Sequence, residues 1–497
     1  METNNDLSTL FALPPSSEFL SQCPAFRLLV LGNAESTKVD IFSKIFGVTL
    51  PKNHLAAAFS PGHDITQELE LDGQNSRLII HTSPNFGSGD EQAYARVCDF
   101  LKARQSPSAA PADRIHCIWY CVACDEDRSV HGLEADFLAH LRSAAAPDTP
   151  PAVLVFTKYE ELVGRARLEW SRDERRSGAA SSVAVSHLIG DLASRRFEER
   201  IGGRWDGIVG GGGRVARVCV ANDDGGDGGV GGGRSGFDAL TGTTVAALKD
   251  WNAKLAFAAA QRNSPSISTQ FAANIAAEYF TVDTGHARKR SGVEVGGILR
   301  DFFAKATQVF NLKDRDALLL APHLLDSVLA AAFESRDELG LLQDALEGGD
   351  GDGGGAHQQP LIGLLSPHDR ACLLAQALAQ TALFFHGLAT AQWAQGDPAV
   401  GLTEQSIGRE LREMRLGTGR KSVIEVVEAS PIFTQCFSRS EISELIVRAV
   451  EQTQEVGAGQ NPISVSSELK DIPLTSVNDR GRDDLVLPCG MTIVPLT

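Results

Sequence analysis

Arg27-Leu28-Leu29-Val30-Leu31-Gly32-Asn33-Ala34-Glu35-Ser36-Thr37-Lys38-Val39 is the stretch on which the reading of this chain turns. A near-continuous apolar run ends on a glycine, and a segment with helical spacing of apolar residues follows as far as Phe46. Strands buried on both faces read this way, and glycine supplies the backbone freedom needed at a sharp strand-to-helix turn. Four more short apolar runs repeat the first: Leu78-Ile79-Ile80-His81, Cys117-Ile118-Trp119-Tyr120-Cys121, Val153-Leu154-Val155-Phe156 and Val215 to Val220. Between them lie candidate helices at 38–46, 91–104, 133–144 and 182–200. This alternation predicts an α/β fold, a doubly wound, mostly parallel sheet covered by helices.

The turn after the first strand has a chemical reading. The phosphate-cradling P-loop pattern is G-x-x-x-x-G-K-[ST] between a strand and a helix. Gly32 and Lys38 fall in register with it, while Thr37 stands at the second glycine and Val39 at the metal-binding hydroxyl. The candidate phosphate loop is therefore Gly32, Asn33, Ala34, Glu35, Ser36, Thr37, Lys38 and Val39. Each departure has a physical cost. A β-branched threonine is poorly suited to positive φ, valine cannot ligate Mg²⁺, and Glu35 puts a negative charge where phosphates would sit. An ordinary βα turn with a chance lysine reads the same way.

Two further signals follow in order, each at the end of an apolar run. GTP-hydrolysing domains place D-x-x-G after the next strand, the Asp on Mg²⁺ through water and the Gly sensing the γ-phosphate. Thr82 and Asn85 occupy those places. After Phe156 come Thr157-Lys158-Tyr159-Glu160, against a guanine-reading [NT]-K-x-D. Glu160 carries one methylene too many, moving its carboxylate by about 1.5 Å and weakening a bidentate pair by on the order of a few kcal/mol. All three signals fall at strand carboxyl ends, where doubly wound sheets bind ligands.

Residues 26–255 resemble a large fungal family of G-domain-containing proteins related to septin-like and immunity-associated GTPases. Besides the motifs, the resemblance rests on Pro61 to Ile65 with Gln67-Glu68-Leu69 (its switch region), Arg77 to Ser83 leading to Phe86, Ile115 to Cys121, Val153 to Leu162, and Cys219-Val220-Ala221-Asn222-Asp223. It implies a P-loop GTPase-type domain with GTP or GDP as ligand, a base-binding set of Thr157, Lys158, Glu160 and Asn222, and dimerisation across the nucleotide face. The departures at Val39, Thr82 and Asn85 put Mg²⁺ binding and hydrolysis in doubt and leave no catalytic residue to name. The match to the helical half is weak, around Leu299 to Leu325.

The rest of the chain sets boundaries. With 497 residues, 43% of them hydrophobic and 22% charged, the chain is globular and long enough for more than one core. The net charge of −17 repels phosphate backbones and anionic lipid, which argues against nucleic-acid and membrane-surface partners. Nine cysteines without a disulfide rhythm fit a reducing, cytoplasmic compartment. Residues 1–25 read as a polar leader without signal-peptide regions. Cys121 and Cys124 lack a second pair at zinc spacing, and the alternation of Cys117, Trp119 and Cys121 points to packing. Glycine-laden stretches within 202–236 and at 348–355 read as flexible insertions. Residues 256–456 read as a mainly α-helical domain, with helices at 268–280, 296–310, 315–333, 369–394, 405–415 and 441–452 and a capping box at Ser438 and Glu441; 457–497 read as an extended tail. Leu373 to Ala394 is apolar but broken by Gln376, Gln380, His386 and Gln392, so a buried helix is expected there and not a membrane span.

Three functional readings follow. The first is a pseudo-GTPase or weak nucleotide binder acting as an interaction module with a protein partner or a second copy. The second is a genuine GTP-binding switch whose site is completed in trans. The third is a helical adaptor whose α/β half is purely structural.

Overall fold

The computed structural model describes residues 19–32, 35–49, 63–69, 71, 74–83, 90–124, 130, 132–143, 149–174, 182–209, 215–220, 236–279, 292–312, 318–321, 324–333, 342, 367–393, 401–416, 423, 425–427 and 439–458. Five strands, β1 (Phe26–Gly32), β2 (Leu78–Thr82), β3 (Cys117–Ala123), β4 (Ala152–Thr157) and β5 (Val215–Cys219), form one sheet in the order β2-β1-β3-β4-β5. Every pair is parallel; Val30 lies opposite Thr82, Gly32 opposite Cys121, Ala123 opposite Thr157 and Phe156 opposite Cys219.

Helices cover both faces. On one face, Leu29, Leu31, Ile118, Tyr120, Val122, Leu154 and Phe156 form a core with Val97 and Phe100 of α2 (Glu91–Arg104) and Phe137 and Leu138 of α3 (Gly132–Ser143). On the other, Phe46 of α1 (Glu35–Phe46) stacks on Trp119 at 5.5 Å. The Trp119 indole N–H donates to Thr244 Oγ1 of α7 (Gly236–Ala247) at 3.1 Å. Phe257 of α8 (Trp251–Ala260) meets Phe26 edge-on at 4.9 Å. Because α1 and α2 lie on opposite faces, the chain reverses its winding between β1 and β3, the crevice where such sheets place ligands.

Several boundaries differ from the sequence expectation. Helix α1 starts at Glu35 and not at Lys38. Helices α4 (Tyr159–Glu174) and α5 (Ser182–Phe197) form a pair, packed through Ala166, Ile189 and Ala193. After α5 the chain continues through a π-helical turn (Glu198–Gly202) into α6 (Gly203–Val209), where a glycine-rich loop was expected. Trp205 explains it: the ring is 3% exposed and lies against Tyr120 and Phe156 at 6.5 and 6.1 Å, so burial outweighs glycine's low helix propensity. Arg217 of β5 braces the same turn, bonding Glu198 at 2.9 Å and Asp206 at 3.1 Å. The stretches 210–214, 221–235 and 343–366 lie outside the described residues, as do Ser438, the leader through residue 18 and the tail beyond Ala458.

The sheet belongs to a compact unit running from Leu20 to Ile267. Its end lies past the 255/256 boundary expected from sequence because α8 straddles that point and is buried from Leu255 to Ala260. From Ser268 onward a second, helical unit contains the rest of α9 (Pro265–Glu278), α10 (Gly292–Phe310), α11 (Leu324–Ala332), α12 (Pro367–Trp393), α13 (Glu404–Leu416) and α14 (Arg439–Ala458). The continuous helix expected at 315–333 is instead a 3₁₀ turn at Leu318–Leu320 followed by α11. Within this unit Phe385 packs against Phe303 and Phe310 at 5.1 and 5.6 Å, and Ser443 Oγ donates to Asn274 Oδ1 at 2.7 Å. Among the described residues one helix segment, Cys372–Trp393, is long and apolar enough to cross a bilayer, and 89% of its apolar window is buried within the protein.

Candidate functional site

The carboxyl edge of the sheet brings together Gly32, Thr82, Thr157 and Lys158. Gly32 ends β1 at φ +95°, a conformation that L side chains rarely adopt. A Cβ there would collide with the Cys121 carbonyl oxygen of β3, so two independent constraints demand glycine. Only Asn33 and Ala34, outside the described residues, separate Gly32 from α1. Of the candidate phosphate loop Gly32 to Val39, Glu35, Ser36, Thr37, Lys38 and Val39 lie in α1, which starts three residues before the Lys38 start expected from sequence. The cause is visible in the sequence. A glycine at position 37 would weaken the first helical turns, and the sequence has threonine there.

On the far side of β3, β4 ends at Thr157, two strand spacings from β1, on the order of 10 Å. The backbone here is tied on both sides: Cys124 N–H donates to Thr157 O at 2.8 Å, Val220 N–H to Phe156 O at 2.7 Å and Tyr159 N–H to Val220 O at 3.3 Å. Held this way, Lys158 adopts φ +62°, a left-handed conformation costing a non-glycine residue on the order of 1 kcal/mol. Thr157 is fully buried, and its hydroxyl donates to Val122 O at 3.3 Å. The Lys158 ammonium lies 3.3 Å from Glu161, both side chains more than a third exposed, so the pair is screened and separates at little cost. Glu160 sits in the first turn of α4, where a carboxylate also complements the helix dipole. Thr82 is buried at the end of β2. Asn85 and Asn222 lie outside the described residues.

Polar groups inside the apolar strands were not singled out as site residues. The Tyr120 hydroxyl donates to Glu134 in the first turn of α3 at 2.7 Å, and Glu134 is fully buried. Arg27 of β1 donates to Glu68 at 2.6 Å and lies 3.3 Å from His81 Nε2. Their signal is the presence of arginine, tyrosine and histidine in otherwise apolar runs.

Cys121 and Cys124 contribute backbone groups at this edge, and their thiols are buried. Cys117, Cys121 and Cys124 are buried free thiols, and burial raises the Cys117 and Cys124 thiols far above their ordinary range. At the opposite, amino-terminal edge a cavity of about 330 Å³ is lined by Cys23, His116, Arg114 and Pro151 among others. Cys23 Sγ lies 3.3 Å from His116 Nε2, the spacing of a nucleophile and its base. The hydrogen bonds argue otherwise. His116 Nδ1 accepts from Arg27 N–H at 2.8 Å, so Nε2 carries the proton and cannot receive one from sulfur. Burial pushes the Cys23 thiol up to about 12 and the His116 imidazole down to about 4, leaving a neutral, unreactive pair.

No protein-family model matches the chain, and comparison with curated proteins gives no significant match.

Proposed function

We propose that residues 26–255 form a P-loop GTPase-like domain that holds a guanine nucleotide weakly, does not hydrolyse it unaided, and serves as an interaction module for a protein partner or a second copy in a reducing, cytoplasmic compartment. The observation that carries the reading is Gly32: a glycine at φ +95° closes β1 beside β3 at the reversal of winding and leads within two residues into α1. Thr157 and Lys158 stand at the same edge, one strand beyond β3. The shortened connection supports weak binding over a competent switch, because helix-terminal amides replace a wrapped loop. With valine at 39 and threonine at 82, phosphate charge would be met by Lys38 and those amides without a bound metal.

Titration with a fluorescent GTP analogue, with and without Mg²⁺, tests this. Binding in the high-micromolar to millimolar range, indifferent to Mg²⁺ and weakened in Lys38→Ala, is expected. Sub-micromolar, Mg²⁺-dependent binding would establish the switch reading instead. Absence of binding at millimolar nucleotide, with Lys38→Ala functionally silent, would leave the α/β unit a structural support for a helical adaptor.

A further inference from the structure

Residues 63–69 occupy the place that a switch region takes in the proposed reading, and three separate anchors tie them to the sheet. Leu69 N–H donates to Ile80 O of β2 at 2.9 Å, covering part of that edge strand. His81 Nδ1 lies 3.0 Å from Ile65 O. Arg27 Nη1 donates to Glu68 Oε1 at 2.6 Å.

The three anchors are chemically linked. A guanidinium has donors only, so His81 Nε2, 3.3 Å from Arg27 Nη1, must accept, and Nδ1 must carry the proton that it donates to Ile65 O. His81 is fully buried, with its ring 5.0 Å from Phe100 of α2. Arg27 is fixed from another side, donating from Nε to Ala112 O at 2.8 Å. Ile65 is 5% exposed and belongs to the sheet core. Outside these anchors a local turn closes on Asp64, which accepts from Thr66 N–H at 2.9 Å and from the Thr66 hydroxyl at 2.8 Å. Asp64, Thr66 and Gln67 face solvent.

We propose that the His81–Arg27–Glu68 relay holds residues 63–69 in a single conformation set by the sheet, whether or not nucleotide is bound; the comparison with a switch rests on the proposed GTPase-like reading. A GTPase switch has the opposite design, ordered by γ-phosphate and Mg²⁺ contacts and released on hydrolysis. Here the ordering contacts among the described residues come from β1 and β2.

Hydrogen exchange on the full chain tests the relay in two arms. Without nucleotide, Glu68→Ala should speed exchange of amides 66–69 by about tenfold, the loss of one charge-assisted hydrogen bond, and leave β3 unchanged. His81→Phe keeps a ring against Phe100 but removes both hydrogen bonds, and should loosen the same amides. Unchanged exchange at 66–69 in both variants would overturn the proposal. In the second arm, saturating GTP analogue or GDP should slow the amides of α1 and leave 66–69 as they were. Slowing of 66–69 by the GTP analogue and not by GDP would restore a nucleotide switch and overturn the relay. If neither nucleotide alters α1, the nucleotide reading fails, and the variant arm decides the relay alone.

Discussion

Gly387 leaves a notch in α12, and the carboxylate of Glu410 from α13 lies against it so closely that a Cβ at 387 would collide with Glu410 Oε1. Burial raises the Glu410 carboxyl to about 7, with Glu413 adding to the effect and Arg409 opposing it. The sign follows from linkage. Below the ordinary carboxyl range the acid is protonated folded and unfolded, so it favours neither state. As pH rises towards 7 only the unfolded chain ionises, and above 7 folding bears the full cost, about 3 kcal/mol from a shift of this size. Glu410→Gln should therefore raise the unfolding midpoint at pH 8 and leave it nearly unchanged at pH 4.5. Urea denaturation at the two pH values checks this; an equal effect at both would rule out proton linkage at this site. No pattern in the sequence marks Glu410, since a glutamate on a helix rich in Arg and Glu reads as solvent-facing. Gly32 is the contrary case, where residue type, position after an apolar run and backbone conformation agree.

At the scale of elements, β1, β3 and β4 are legible because each is an apolar run buried on both faces, and β2 nearly so, whereas the edge strand β5 is only partly buried and carries Arg217. The helix boundaries were less so. The helix expected from Lys38 starts at Glu35, and the sequence lacks a glycine at position 37 that would weaken its first turns. The glycines from 202 to 207 suggested an open loop, yet burial of Trp205 turns Gly203–Val209 into a helix. Trp205→Ala should destabilise the protein by about 3–5 kcal/mol, the usual result of emptying a buried aromatic site. Thermal denaturation with far-UV circular dichroism would show it, and a midpoint within a degree of wild type would mean that Trp205 is not part of the core.

At the scale of the whole molecule, the parallel sheet and its covering helices close a core within residues 20–267. A fragment of residues 20–267 is therefore expected to unfold in one cooperative thermal transition. A gradual loss of ellipticity would show that the sheet unit depends on the rest of the chain. The sequence by itself determined the α/β class, the five strands, the helical second half and the glycine at the end of β1, because these follow from local periodicity and from what a single residue can do with its backbone. It could not determine the strand order, the start of α1, or the gathering of Arg27, Glu68 and His81, separated by 41 and 54 residues along the chain. Those depend on which side chains meet once strands pair and helices pack, and on whether burying a ring such as that of Trp205 outweighs a local preference. The tertiary structure decided them for that reason.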